Sequence, residues 1–133
     1  MDCFASLAMT ALVVRRLKPM ALIFKIVAEA EWRAAEQKGA FEGSAVDRAD
    51  GYIHFSTAEQ TPDTAAKHFA GQAGLLLVAI DADALGPALK WEPSRGGALF
   101  PHLYAALPLA AVRWTRPLPI GADGRHVFGT LAG

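Results

Sequence analysis

GLLLVAID, residues 74–81, is the stretch on which the fold turns. An amphipathic helix would repeat its apolar positions every three or four residues, and a half-buried strand would alternate them. Here the apolar residues from Leu75 to Ile80 run unbroken between a glycine and an aspartate. A short continuous run of this kind fits a strand covered on both faces, so it predicts a central strand. Reading towards the N-terminus, ALIFKIV at residues 21–27 is a second short apolar run, interrupted by Lys25, and predicts another strand. Between the two, Glu29–Lys38 is rich in helix formers and Gly39 stands where a C-terminal cap belongs. Residues 40–50 are polar, with Gly43, Ser44, Asp47 and Asp50, and read as a connecting loop.

The next segment, DGYIHFSTAEQ at residues 50–60, has a strand's alternation. Ile53 and Phe55 fall on one face, and Tyr52, His54 and Ser56 on the other. Two helix-start signals follow. Ser56-Thr-Ala-Glu59 matches a capping box, and Thr61-Pro62 matches an N-cap followed by proline, which predicts a helix running to about Ala70 and stopped by Gly71.

On the C-terminal side of the central run, residues 83–87 carry turn chemistry and residues 88–92 predict a brief strand ending at Pro93. PSRGGALFP, residues 93–101, reads as a glycine-containing loop, and AAVRWTRPL, residues 110–118, as a further strand. An Asp-Gly turn and a last strand over residues 126–128 complete the chain. Strands outnumber helices and the helices come early. The fold expected is therefore α+β, with a mixed or antiparallel sheet and two short helices.

The 133 residues are enough to bury a core without metals or disulfides. Lys plus Arg and Asp plus Glu are thirteen each, so no overall field points to a nucleic acid or a membrane surface as partner. Cys3, the single cysteine, makes no intrachain bridge, which favours a cytoplasmic protein, and a Cys/His zinc site finds no support. In MDCFASLAMTALVVRRLKP, residues 1–19, the basic residues follow the apolar stretch rather than precede it, which inverts the secretory pattern. Met20 stands directly before the first strand. The expectation is an N-terminal extension over residues 1–19 and one domain over 20–133.

The signatures of phosphate-loop enzymes, dinucleotide-binding dehydrogenases, α/β-hydrolases and zincins are missing from the sequence. Four histidines remain to be weighed. His68 lies near the end of a predicted helix, where a structural reading suffices, and His126 follows a turn near the C-terminus and reads as surface. His54 closes a strand just before a helix start, a position from which a side chain is presented to a ligand. Ser56 and Thr57 are explained by capping alone. A serine nucleophile would need a base in reach, and His54 on the same strand face is about 7 Å away.

A second dense segment, KWEPSRGGALFPHLY at residues 90–104, sets Glu92, Arg95, His102 and Tyr104 around two glycines and two prolines. Glu92 there suits a ribose hydroxyl or a base, and Arg95 suits a phosphate or carboxylate. A solvated Glu–Arg pair beside core aromatics is the bland alternative. The concentration of polar types between aromatics favours a pocket.

IFKI, EW at Glu31-Trp32, DGYIHFSTAEQ, LLLVAID, WEPSRGG and FPHLYAALPL occur in the order seen in a family of small bacterial proteins, domain of unknown function 952, which the chain resembles from Leu22 to about Leu118. That family is distantly similar to the ADP-ribosyltransferase fold, a split, mostly antiparallel sheet whose members bind NAD in a cleft. The resemblance implies that fold, a small-molecule ligand with NAD as a possible substrate, and a site drawn from the shared strings. His54, Ser56 and Thr57 come from IHFST, Glu92 from the WE string, and His102 and Tyr104 from FPHLY. Lys25 stands where many relatives carry histidine, on the strand that grips the nicotinamide-side ribose. On this reading His54, Glu92 and His102 are catalytic, while Lys25, Tyr52, Ser56, Thr57, Arg95 and Tyr104 contact the ligand. The alternatives are a binding module for an anionic or nucleotide-like metabolite without turnover, and an interaction protein.

Overall fold

The computed structural model describes residues 21–131; the expected extension over residues 1–19 lies outside the described residues, as does the side chain of Arg95. The chain runs β1 (Leu22–Ala28), α1 (Glu29–Lys38), β2 (Ala40–Phe41), α2 (Ala45–Asp50), β3 (Ile53–His54), α3 (Thr61–His68), β4 (Leu75–Asp81), β5 (Leu89–Pro93), β6 (Leu99–Leu103), β7 (Leu107–Pro108) and β8 (Val112–Leu118), with short 3-10 turns before β5, β6 and β8. Every strand pair is antiparallel. The architecture is α+β, as expected, with three helices rather than two among the described residues.

β4 is the middle strand of the sheet β1-β4-β8, the place its unbroken apolar run predicts. Leu77, Val78, Ala79 and Ile80 are completely buried. Val78 and Ile80 join the larger core with Trp32, Phe41, Phe55 and Leu103, while Leu77 and Ala79 join a second core with Phe24, Ala65 and Leu118. A strand buried on both faces has no solvent side on which to place polar residues. Each large aliphatic side chain removed from water there contributes roughly 1.5–3 kcal/mol, before the entropy of ordering the chain is counted.

α1 ends where the sequence indicates. Gly39 adopts φ 92°, and its N–H donates to the Ala35 carbonyl. Trp32 and Ala35 form the buried face of this helix.

The second sheet, β3-β6-β5, contains a strand that the sequence reading takes for the end of a loop. FPH belongs to β6, which lies between β3 and β5 even though Pro101 has no N–H to donate. The Pro101 carbonyl still accepts from the Phe55 N–H. Proline argues against a central strand in general, so the pairing of β6 emerges only when its two neighbours are in place.

The two sheets meet at residues 24 and 56, where Phe24 N–H donates to the Ser56 carbonyl and Ser56 N–H donates back to the Phe24 carbonyl. β3 is accordingly short, and Ser56 is part of this bridge rather than of the strand. The last predicted strand, over residues 126–128, is reduced to one bridge between Ile120 and His126.

Two capping expectations move. The loop assigned to residues 40–50 contains α2, started by a capping box in which Asp47 accepts from the Ser44 N–H and the Ser44 side chain engages the N3 residue. Beyond β3, the reciprocal pair forms between Thr57 and Gln60, one residue later than Ser56 and Glu59: Thr57 N–H donates to Gln60 Oε1, and Gln60 N–H to Thr57 Oγ1. Helix α3 begins at Thr61, with Pro62 in its first turn. The one-residue shift removes Ser56 from capping and leaves its hydroxyl paired with Thr64 Oγ1 at 3.0 Å.

Candidate functional site

β3 and β6 pair so that His54 and His102 are directly opposite each other. Directly opposed side chains on one sheet face are close neighbours, and the two ring centroids are 5.4 Å apart with an edge-to-face tilt. Tyr52 lies against both rings. Its ring stacks on His102 at 4.2 Å and tilts against His54 at 4.7 Å.

Each imidazole has a carboxylate at Nδ1. His54 Nδ1 is 2.6 Å from Asp47 Oδ1, and His102 Nδ1 is 2.8 Å from Glu92 Oε1. An ionised carboxylate only accepts, so in each contact the hydrogen bond requires a proton on Nδ1. This fixes the ring orientation and leaves Nε2 as the atom with chemistry to offer. At His102 that nitrogen belongs to a residue that lines the cavity described below. At His54 it stands 2.9 Å from Asp50 Oδ2.

Asp47 is the hub that the sequence reading misses. Its side chain is 2 % exposed. It accepts from the Ser44 N–H at 2.9 Å, the Ser44 hydroxyl at 3.1 Å and the His54 N–H at 3.1 Å. Lys25 Nζ is 3.0 Å from its Oδ2 and donates also to the His54 carbonyl. Burial pushes the Asp47 carboxyl up, but the His54 hydrogen bond, the Lys25 charge and the Ser44 N–H together hold it well below the usual carboxylate range. Burial lowers the Lys25 ammonium, and Asp47 offsets part of that. A lysine interrupting an apolar strand is thus explained by a carboxylate 22 residues away. The Ser-x-x-Asp spacing from Ser44 to Asp47 is the local signal that would have found α2 and its aspartate.

Glu92 is arranged differently. Its Oε1 accepts from the Tyr104 hydroxyl at 2.7 Å as well as facing His102. These two hydrogen bonds lower the Glu92 carboxyl, while the bond to Glu92 raises the Tyr104 phenol to about 12. Glu92 reaches the site through the His102 ring, and Tyr104 stands at the exposed end of the row, with Lys90 Nζ over its ring at 5.8 Å.

Against the two histidines lies a cavity of about 530 Å³. Its wall includes the polar residues Lys25, Asp47, Asp50 and Ser56 and the apolar residues Phe24, Phe69 and Phe100. Of the residues expected at a site, His54, His102, Lys25 and Ser56 are brought together here. Glu92, Tyr52 and Tyr104 stand behind or beside the histidines. Thr57 takes part in capping. His68, read from the sequence as structural, is in the last turn of α3 and on the cavity wall. His126, read as surface, is half-buried and bonds the Gln72 carbonyl through Nε2. Among the described residues no group of three or more His, Cys, Asp or Glu side chains is placed to hold a metal ion, and no helix is long and apolar enough to cross a membrane.

This fold, with its opposed histidines, is that of a small α+β protein, and the chain belongs to a defined family. The model of the protein family of unknown function DUF952 matches residues 26–115. The crystal structure of protein CC0527 from Caulobacter crescentus is similar at 56 % identity and a TM-score of 0.78, over 81 % of this chain and 95 % of that one. The solution NMR structure of CC0527 gives 57 % identity and a TM-score of 0.72, over 80 % and 91 % of the two chains. No curated protein matches.

Proposed function

We propose that the cavity binds a nucleotide-like metabolite, with NAD as its candidate substrate, and that the chain acts on it in the manner of an ADP-ribosyltransferase. The observation that carries this reading is the pair of carboxylate-braced imidazoles on one wall of a cavity of about 530 Å³. The phenylalanine side of the cavity suits a flat ring, and the histidine side suits ribose hydroxyls. In the reaction, the bond from ribose C1 to the nicotinamide nitrogen breaks and nicotinamide leaves with the electron pair. An incoming hydroxyl attacks C1, and its proton passes to His102 Nε2. Glu92 is then a positioning residue that orients His102 and stabilises its charged form, and Arg95 serves the pyrophosphate.

Calorimetry with NAD and ADP-ribose, together with an assay of nicotinamide release, tests this. The native protein is expected to bind one of the two and to release nicotinamide. His102→Ala is expected to bind it still, with release reduced roughly 10²–10⁴-fold. No binding of either compound to the native protein would overturn the reading.

A binding module without turnover is the second reading, and one observation favours it. Both ring nitrogens of His54 face carboxylates, and Lys25 is engaged by Asp47 and by a backbone carbonyl. These groups are then selectors rather than proton carriers. A ligand that raises the melting temperature with no nicotinamide released would establish this form.

A further inference from the structure

His54 has two carboxylate neighbours, and they are not equivalent. Asp47, at Nδ1, is 2 % exposed and is held by Ser44, Lys25 and the His54 backbone as well as by the ring. Asp50, at Nε2, is 47 % exposed, and among the described residues it is paired with the ring alone. Exposed ion pairs contribute little to stability, so the Asp50 contact can be exchanged without disturbing the buried one. Asp50 is the last residue of α2, directly before the left-handed Gly51 that caps the helix. Its half-exposed side chain borders solvent into which it can turn. Asp50 and His54 both line the cavity, and so does Lys25.

We propose that His54 Nε2 is an oxyanion-binding point of this cavity, and that Asp50 is its built-in occupant, holding the place that a phosphate group of the ligand takes on binding. The chemistry follows from the ring. With Nδ1 committed to Asp47, Nε2 is the ring's second nitrogen, and in the imidazolium form it carries a proton for an anionic oxygen; among the described residues the oxygen set against it is that of the half-exposed Asp50. Exchange of Asp50 for a phosphate oxygen keeps an anionic oxygen beside Nε2, where Asp50 Oδ2 now stands at 2.9 Å. The exchange replaces one anion with another beside a wall where Lys25 and Asp47 already balance each other. Asp50 then acts as an internal competitor: it occupies the place beside Nε2 in the free protein and sets a threshold of affinity that weak anions do not pass. The proposal deepens the reading of the cavity as a nucleotide site and rests on the cavity being a ligand site at all.

The test titrates inorganic phosphate and, separately, ADP-ribose into the native protein, Asp50→Asn, Asp50→Ala and His54→Gln, following the histidine ring resonances by NMR. Asp50→Asn and Asp50→Ala are expected to bind phosphate roughly tenfold more tightly than the native protein, because a competing charge at hydrogen-bond distance is gone. His54→Gln, whose amide can still donate to Asp47, is expected to lose phosphate binding while staying folded. Unchanged or weaker phosphate binding in both Asp50 variants, or no binding in any form, would overturn the proposal. If ADP-ribose binds the native protein and the Asp50 variants equally, the role of Asp50 fails and the nucleotide reading stands. If phosphate tightens but ADP-ribose binds no form, the oxyanion point stands and the nucleotide reading fails.

Discussion

His54 and His102 face each other across one strand pair, each with a carboxylate on Nδ1, yet one brace is built into the core and the other sits at the surface. Asp47 is 2 % exposed where Glu92 is 36 % exposed. Asp47 ties α2, β1 and β3 together through Lys25, Ser44 and His54, so the same carboxylate that orients an imidazole also satisfies a buried ammonium. Among the described residues Glu92 ties its own hairpin, through His102 and Tyr104. Two braces with the same local geometry therefore differ in kind: removing the first is expected to disturb folding, and removing the second to disturb the His102 ring and the Tyr104 phenol while leaving the fold in place.

The largest expected effect separates the two directly. Asp47→Ala leaves the Lys25 ammonium buried without a counter-charge, and the expected loss is about 3–5 kcal/mol in urea denaturation. The double variant Lys25→Met/Asp47→Leu is expected to recover most of that, because the cost lies in the orphaned charge rather than in the missing pair. A loss as small in Asp47→Ala as in Glu92→Ala would abolish the distinction.

Acid titration sharpens it further. The folded state holds the Asp47 carboxyl below its unfolded value of about 3.9, so its contribution is complete above that pH and is lost as pH falls through the folded value. The stability deficit of Asp47→Asn relative to the native protein should accordingly shrink as the pH is lowered below about 4. A deficit constant across the acid range would mean that the charge on Asp47 is not what stabilises the fold.

The smallest effect belongs to the exposed brace. Glu92→Gln is expected to leave the unfolding midpoint where it is. The same variant should bring the Tyr104 phenol down from about 12 towards its ordinary value of 10.0, read by ultraviolet titration of the phenolate. A Tyr104 that titrates unchanged in Glu92→Gln would show that the Glu92 carboxylate does not set its acidity.

Much of this was legible in the chain. An unbroken apolar run such as LLLVAI specifies burial on both faces locally, with no knowledge of what covers it, and β4 is indeed central. The Gly39 cap and the alternation that directs Tyr52, His54 and Ser56 to one face are local in the same sense. Less legible were α2, which is too short for a periodic signal, and β6, whose Pro101 argues against the strand that its neighbours impose. At the site, the histidines and Glu92 stood out by residue type, but Asp47 read as one polar residue in a polar loop.

The sequence by itself determined the α+β class, the central strand, the first helix and the face on which His54 lies, because each follows from interactions within a few residues. Only the tertiary structure decided that Lys25 and Asp47 pair, that His102 lies opposite His54, and that Ser56 is left free of capping. Those outcomes depend on register between segments tens of residues apart, and a buried charge reveals its partner only when the strands that carry the two are brought together.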